Sequence, residues 1–318
     1  MFEIIFAIII LIVGMFLIFF SSNIAVKHSA ILASALGISP LIIGISLVSI
    51  GTDLPEIFNS IISSSLGHGD INVGDSIGSI LTQITLVFGL LPIICGSFKI
   101  DRKEIIILGA CQILALIVIY AILEKGYFTY LNAIILVGSL VIYLIIISSV
   151  TKESILERVD LIEKTSTPKS KPFHILIAVL GFIGVAIGAF CIVQSIITLS
   201  SLFHVHEYII SFFIASIGTS LPELAVNVNA IRQKHYKIAI GDTVGSCIVD
   251  ATLSIGIGQV FFPQAISAEL AVPTVLYVII ASFIVFIILA VKKKLDKKAG
   301  IAFIILYLCS YLLLFILI

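Results

Sequence analysis

The stretch Ser49-Ile50-Gly51-Thr52-Asp53-Leu54-Pro55-Glu56 returns 167 positions later as Ser216-Ile217-Gly218-Thr219-Ser220-Leu221-Pro222-Glu223. A second pair keeps the same spacing: Gly74-Asp75-Ser76-Ile77-Gly78-Ser79 and Gly241-Asp242-Thr243-Val244-Gly245-Ser246. One offset serves both motifs, so the repeat runs between them without a gap. A duplication kept only for packing would preserve apolar residues. Here the best-matched residues are Gly, Thr, Pro, Glu, Asp and Ser, which points to a site shared by two halves.

The rest of the chain places that site in a membrane. Of 318 residues, 60% are hydrophobic and 11% charged, where a soluble domain carries roughly a quarter charged residues. Mean hydropathy is +1.28. So much apolar surface is buried only in lipid, and about 20 apolar residues cross a bilayer. Ten such runs are predicted, at 4–26, 38–64, 71–98, 104–123, 128–150, 173–200, 206–231, 238–263, 271–291 and 300–318. The first is expected to continue through 23–36 as one long tilted helix. It opens on Met1-Phe2-Glu3 without a basic segment, which reads as a membrane helix rather than a removable signal. The net charge of +0 and the lack of basic-aromatic tracts exclude nucleic acid as a partner.

The stretch 151–172 is rich in Lys, Glu, Ser and Thr and divides the chain. We read 1–150 as a first five-helix repeat, 151–172 as a cytoplasmic linker and 173–318 as a second five-helix repeat. If the connections alternate sides, 17 of the 18 basic residues fall on one side and only Lys125 on the other. By the positive-inside rule the crowded side is cytoplasmic, and both termini lie outside. Five spans per half is an odd number, so the second copy is inverted. Inverted repeats around a midplane site are a plan of secondary transporters. The fold class is therefore all-α, with broken helices at the site.

The motifs carry the chemistry of a cation site. Gly51 and Pro55 weaken a helix, and Pro55 offers no N–H. Carbonyls near residues 51 and 52 lose their helical partner and must face protein, water or an ion. Unwound carbonyls beside carboxylates are hard oxygen ligands that suit Na⁺ and Ca²⁺. The same holds for Gly218 to Glu223. An intramembrane carboxylate costs about 2.5 kcal/mol or more on insertion scales, so the matched pair Glu56 and Glu223 needs a reason. Ser79 and Ser246 add hydroxyls. One turn further come Gln83 and Asp250, matched under the repeat and expected to face the same cavity. Thr52 and Thr219 complete the set. Asp53, whose counterpart is Ser220, either joins Glu56 or faces water at the cavity mouth. The donors are almost all oxygen. Cys247 is the one soft neighbour and is expected to turn away, which argues against zinc or copper.

Other polar residues have plainer readings. Asp75 and Asp242 read as helix caps. His204 and His206 read as interfacial, and His68 and His235 as solvated loop residues. The five cysteines are scattered in apolar runs and read as free thiols.

With these motifs in hand, the chain resembles the sodium/calcium exchangers of the calcium/cation antiporter superfamily, in their compact prokaryotic form. The paired elements around Glu56 and Glu223, and around Ser79 and Ser246, resemble that family's two alpha-repeats. The resemblance implies an inverted five-plus-five fold and four cation sites between the second, third, seventh and eighth helices. It implies Ca²⁺ held by Glu56 and Glu223 with backbone oxygens of Thr52 and Thr219. It implies Na⁺ sites that add Ser79, Ser220 and Ser246, with Asp250 at the centre, and a slanted first and sixth helix that slide across the rest. No cofactor is implied, and the expected unit is a monomer in the lipid bilayer.

Two positions depart from the family pattern. Asp53 stands where a Ser is usual, and Gln83 where an Asn is usual. They leave open a Ca²⁺ antiporter driven by H⁺ or assisted by K⁺. An intramembrane aspartyl protease, the enzymatic alternative, is marked by Gly-x-Gly-Asp. Asn72 precedes Val73-Gly74-Asp75, and Ala239 precedes Ile240-Gly241-Asp242, so both copies lack the first Gly. A protease would also leave Glu56 and Glu223 unexplained.

Overall fold

Apolar runs of this length form helices, because a helix satisfies its backbone groups internally where no water can. The computed structural model describes residues 2–36, 50–164 and 171–317. In chain order the helices are α1 (Phe2–Ala35), α2 (Leu54–Ser65), α3 (Gly69–Leu81), α4 (Phe88–Cys95), α5 (Arg102–Leu123) and α6 (Tyr130–Lys164). There follow α7 (Lys171–Phe203), α8 (Glu207–Ile210), α9 (Ser216–Thr219), α10 (Leu221–Arg232), α11 (Tyr236–Val249), α12 (Ile255–Phe261), α13 (Ala268–Lys292) and α14 (Lys297–Leu317). Two short strands, β1 (Phe98–Lys99) and β2 (Lys294–Leu295), pair antiparallel. Among the described residues three π turns, Thr82–Val87, Ser211–Ala215 and Asp250–Ser254, join consecutive helices into longer rods.

Eight stretches among the described residues are long and apolar enough to cross a membrane: Phe2–Ala33, Gly69–Cys95, Arg102–Leu123, Tyr130–Ile147, Lys171–Phe203, Glu207–Arg232, Tyr236–Phe261 and Ala268–Lys292. Each falls on a predicted span. The predicted span 38–64 lies partly outside the described residues. That at 300–318 falls on α14. The outer faces of these helices leave large apolar side chains bare, among them Phe16, Leu131, Ile145, Leu176 and Ile287. Exposure on that scale belongs to a protein solvated by lipid. The chain is a membrane protein. The charged stretch after Val150 begins as helix, since α6 continues to Lys164.

α1 is one helix of 34 residues, about 51 Å at 1.5 Å per residue and longer than a hydrocarbon core of about 30 Å. It packs antiparallel to α7 on small residues. A Cβ on Gly14 would stand 2.9 Å from the Gly188 carbonyl oxygen, and Gly184 lies over Ser21 and Gly181 over Ala25. A small core joins this pair to α3 and the α8 rod through Ile18, Ile192, Ile196, Ile71 and Ile210. The larger core packs α3, α4, α5, α11 and α14 together around Ile77, Phe88, Leu116, Ile248 and Phe303.

Two backbone pairings mark the ends of the bundle. At one end of α5, Phe98 pairs with Leu295 and Lys99 with Lys294. At its other end Tyr127 bridges Ala265. The 167-residue offset carries Tyr127 onto Lys294 and Phe98 onto Ala265, so each pairing is the other's image to within one residue.

Candidate functional site

The two glutamates stand where the chain breaks its helical course. Asp53 precedes α2 with φ −84° and ψ 9°, and Ser220 precedes α10 with φ −82° and ψ 2°. Both helices carry a proline in the first turn, where its missing N–H costs nothing to the helix that follows. It does cost the preceding turn: Pro222 offers no N–H to the Gly218 carbonyl, nor Pro55 to that of Gly51. Glu56 and Glu223 are the third residues of α2 and α10. There the partial positive charge of a helix start favours a carboxylate.

All ten residues named from the sequence are buried: Thr52, Asp53, Glu56, Ser79, Gln83, Thr219, Ser220, Glu223, Ser246 and Asp250. Several meet across the halves. The Ser79 hydroxyl donates to Glu56 Oε1 at 3.4 Å and lies 3.2 Å from the Thr219 hydroxyl. The hydroxyls of Thr52 and Ser246 are 3.3 Å apart. Gln83 Nε2 donates to Asp250 Oδ2 at 3.2 Å. Glu223 has Glu56, Asp53 and Asp242 as charged neighbours, and Asp250 has Glu56, Asp53 and Asp75. Among the described residues, Glu56 Oε2, both oxygens of Glu223, Asp250 Oδ1 and Ser220 Oγ accept or donate no hydrogen bond. Buried carboxylate oxygens without donors are costly, and a cation is the partner that such oxygens would take.

The site is richer than the sequence reading. Asp75 and Asp242 are not caps. They lie inside α3 and α11, whose first residues are Gly69 and Tyr236, because helix forms from the connection onward and leaves no break at the motif. Asp75 is buried and accepts from the Thr219 hydroxyl at 3.1 Å and from the Asn59 amide. Glu56, Ser79, Thr219, Asp75 and Asn59 thus form one polar chain. In the second half Asn227 donates to Thr243 at 2.9 Å instead. Cys247 is not turned away: its thiol donates to Gln83 Oε1 at 3.5 Å. Gln83 and Asp250 both sit on π turns, a feature frequent at functional sites.

Close packing holds this arrangement. A Cβ on Gly78 would overlap the Phe212 carbonyl oxygen, and one on Gly74 would stand 2.5 Å from that of Tyr208. At one end of the bundle His68 is half-buried and pairs with Glu207 at 2.7 Å, rather than being a free loop residue. His206 pairs with Asp70 at 3.7 Å, and Asp70 also accepts from Ser267 N and Oγ at 2.8 and 2.7 Å. Among the described residues no three His, Cys, Asp or Glu side chains form a ready-made metal cluster. The donors are instead a mixture of carboxylates, hydroxyls and an amide.

Comparison with known proteins places this geometry. The family model described as sodium/calcium exchanger protein matches residues 6–149 and again 173–316. The sodium/calcium exchanger MaX1 of Methanosarcina acetivorans is 29% identical over 137 residues, which is 43% of this chain and 39% of that protein. An uncharacterized membrane protein of Methanocaldococcus jannaschii is 26% identical over 231 residues, 71% of each. Among solved structures, the sodium-calcium exchanger NCX_Mj soaked with 2.5 mM Na⁺ and 0.1 mM Sr²⁺ matches with a TM-score of 0.61 and 25% identity, over 97% of this chain and 98% of that one.

Proposed function

Because this chain belongs to the sodium/calcium exchanger family, we propose that it is a secondary antiporter exchanging Ca²⁺ for Na⁺ across a membrane by alternating access. The observation that carries this reading is the buried pair Glu56 and Glu223. They sit at matched helix starts, with oxygens that have no hydrogen-bond donors, among hydroxyls contributed by the opposite half.

In this reading Ca²⁺ is held by Glu56 and Glu223 with backbone oxygens of Thr52 and Thr219. Na⁺ ions use the same carboxylates with Ser79, Ser220 and Ser246, next to Asp53, Gln83 and Asp250. Both ions compete for one set of charges. The carboxylates must be neutralised before the bundle can rearrange, which is what couples the two fluxes. No chemical step on a substrate is required, so the protein is not an enzyme and needs no cofactor.

The architecture proposed is ten spans as two inverted five-helix repeats, 1–150 and 173–318, joined by a cytoplasmic linker over 151–172. The end pairings support inversion. The repeat maps the Phe98–Leu295 end of α5 onto the Tyr127–Ala265 end, which requires an axis that turns the helices end over end. Both termini then lie outside and a monomer suffices.

A second reading, Ca²⁺ antiport driven by H⁺ or assisted by K⁺, is favoured by the extra buried carboxylates Asp53, Asp75 and Asp242. Reconstituted protein loaded with Na⁺, K⁺ or acid and given ⁴⁵Ca²⁺ separates the two. Uptake should follow the Na⁺ gradient and vanish in Glu56→Gln. Uptake indifferent to Na⁺ but following ΔpH would overturn the first reading in favour of the second. Retained uptake in Glu56→Gln would overturn the site.

A further inference from the structure

A groove of about 520 Å³ opens on the lipid-facing side between α1, α10 and the end of α4, lined by Met15, Phe19, Ile94, Leu221, Val228 and Arg232 among others. Every lining residue is apolar except Arg232. The groove runs along α10 from its first residue to its last. Eleven residue steps at about 1.5 Å span about 16 Å, half of a hydrocarbon core of about 30 Å. Its inner end lies beside the helix break at Ser220. Its outer end carries a guanidinium in the last turn of α10. Among the described residues that guanidinium has no carboxylate partner. A slot one leaflet deep, apolar along its length and cationic at its mouth, has the shape and charge of one kind of occupant.

We propose that this groove is a binding site for an anionic phospholipid, with one acyl chain between α1 and α10 and the phosphate on Arg232. The chain end abuts Met15. That side chain in turn fills the space beside Gly218, where a Cβ would stand 2.6 Å from Met15 Cε. The lipid therefore touches the broken segment that carries Ser220 and Glu223. Any sliding of α1 against α10 changes the width of its slot.

Native mass spectrometry of the purified protein tests this, using phosphatidylglycerol and phosphatidylcholine with identical chains. One basic residue near a membrane surface is worth about 1 kcal/mol toward an anionic lipid, so the wild type should retain the anionic lipid about five-fold over the zwitterionic one. Arg232→Gln should bring that ratio to about one, and Lys234→Gln should leave it unchanged. Ala225→Trp, which fills the groove, should remove retention of both lipids. Free glycerol phosphate should not displace the bound lipid, since the acyl chain supplies the affinity. A preference that survives Arg232→Gln, or retention unchanged in Ala225→Trp, overturns the site. If Ala225→Trp fails to fold, the Arg232→Gln ratio decides alone. Neither arm depends on which ions are exchanged or which face is cytoplasmic, so failure here leaves the proposed antiport standing.

Discussion

The hydroxyl of Ser79, in the first half, stands 3.2 Å from the hydroxyl of Thr219, in the second. Its image under the repeat is the 3.3 Å contact of Ser246 with Thr52. Each half thus supplies a serine from one helix that meets the threonine before the other half's proline. The proposed cation site is built from contacts that neither half can make alone.

That relation predicts coupling. A hydrogen bond to a charged group is worth about 1.5–3 kcal/mol, and Ser79 lies between Thr219 and Glu56. Ser79→Ala and Thr219→Ala should each raise the Ca²⁺ concentration for half-maximal uptake about ten-fold. The double variant should be worse by clearly less than the product, because both changes break one chain. Additive effects would show that the two hydroxyls act separately.

Glu223 predicts a stability change of unusual sign. Both its oxygens are buried without donors, so the ion-free protein carries an unpaid desolvation cost. Glu223→Gln should melt higher than wild type in chelator. It should also lose the gain on adding Ca²⁺, which for wild type is about 2.7 kcal/mol at a hundred times Kd. Thermal melts in detergent with and without Ca²⁺ read both effects. A Ca²⁺ response of wild-type size in the variant would remove Glu223 from the site.

Asp75 predicts a cost where the sequence placed only a cap. Asn59→Ala withdraws the amide donated to Asp75 and should cost about 1–3 kcal/mol, as leaving a buried acceptor bare does. In an Asp75→Asn background the same change should cost much less, since the stranded charge is gone. Melting of the four proteins in chelator gives the cycle. Equal costs in both backgrounds would mean that Asn59 serves packing rather than Asp75.

What was legible and what was not follow from the range of the forces. The breaks before Leu54 and Leu221 could be read because proline and glycine act on their own turn. The burial of the ten polar residues could be read because the duplication repeats most of them. The role of Asp75 could not, since Asn59 and Thr219 reach it only through tertiary packing. The π turns under Gln83 and Asp250 add a residue with no signature of composition. Asn59 and Asn227 each reach 16 residues ahead, yet under the repeat Asn59 falls on Val226. A one-residue slip of this kind shows only in side-chain contacts.

We propose that Asp53 sets the ion dependence. It is buried beside Glu223 and Asp250, where the second half has the neutral Ser220. Asp53→Ser should therefore keep Ca²⁺ transport while changing which gradient drives it, moving any K⁺ or H⁺ dependence toward Na⁺ alone. Uptake under separate gradients checks this. Complete loss of transport would make Asp53 an obligatory ligand rather than a selector.

Outside the membrane, Asp296 caps α14. It accepts from Ala299 N at 2.9 Å and meets Lys292 at 3.1 Å and Lys294 at 3.3 Å. These partners, the backbone N–H first, push its carboxyl down to about 2. A lowered folded pKa means that the stabilisation is full above the unfolded value of about 3.9 and is lost only as pH falls toward the folded one. Asp296→Ala should therefore cost about 1 kcal/mol, as the loss of a helix cap does. The penalty should be the same from pH 8 down to pH 5, because the carboxylate stays charged throughout. Raising the salt should reduce it only slightly, since the two lysines are exposed and already screened. Melts of the variant and wild type across that range settle the matter. A penalty that faded between pH 8 and pH 6 would assign the stabilisation to a group other than Asp296.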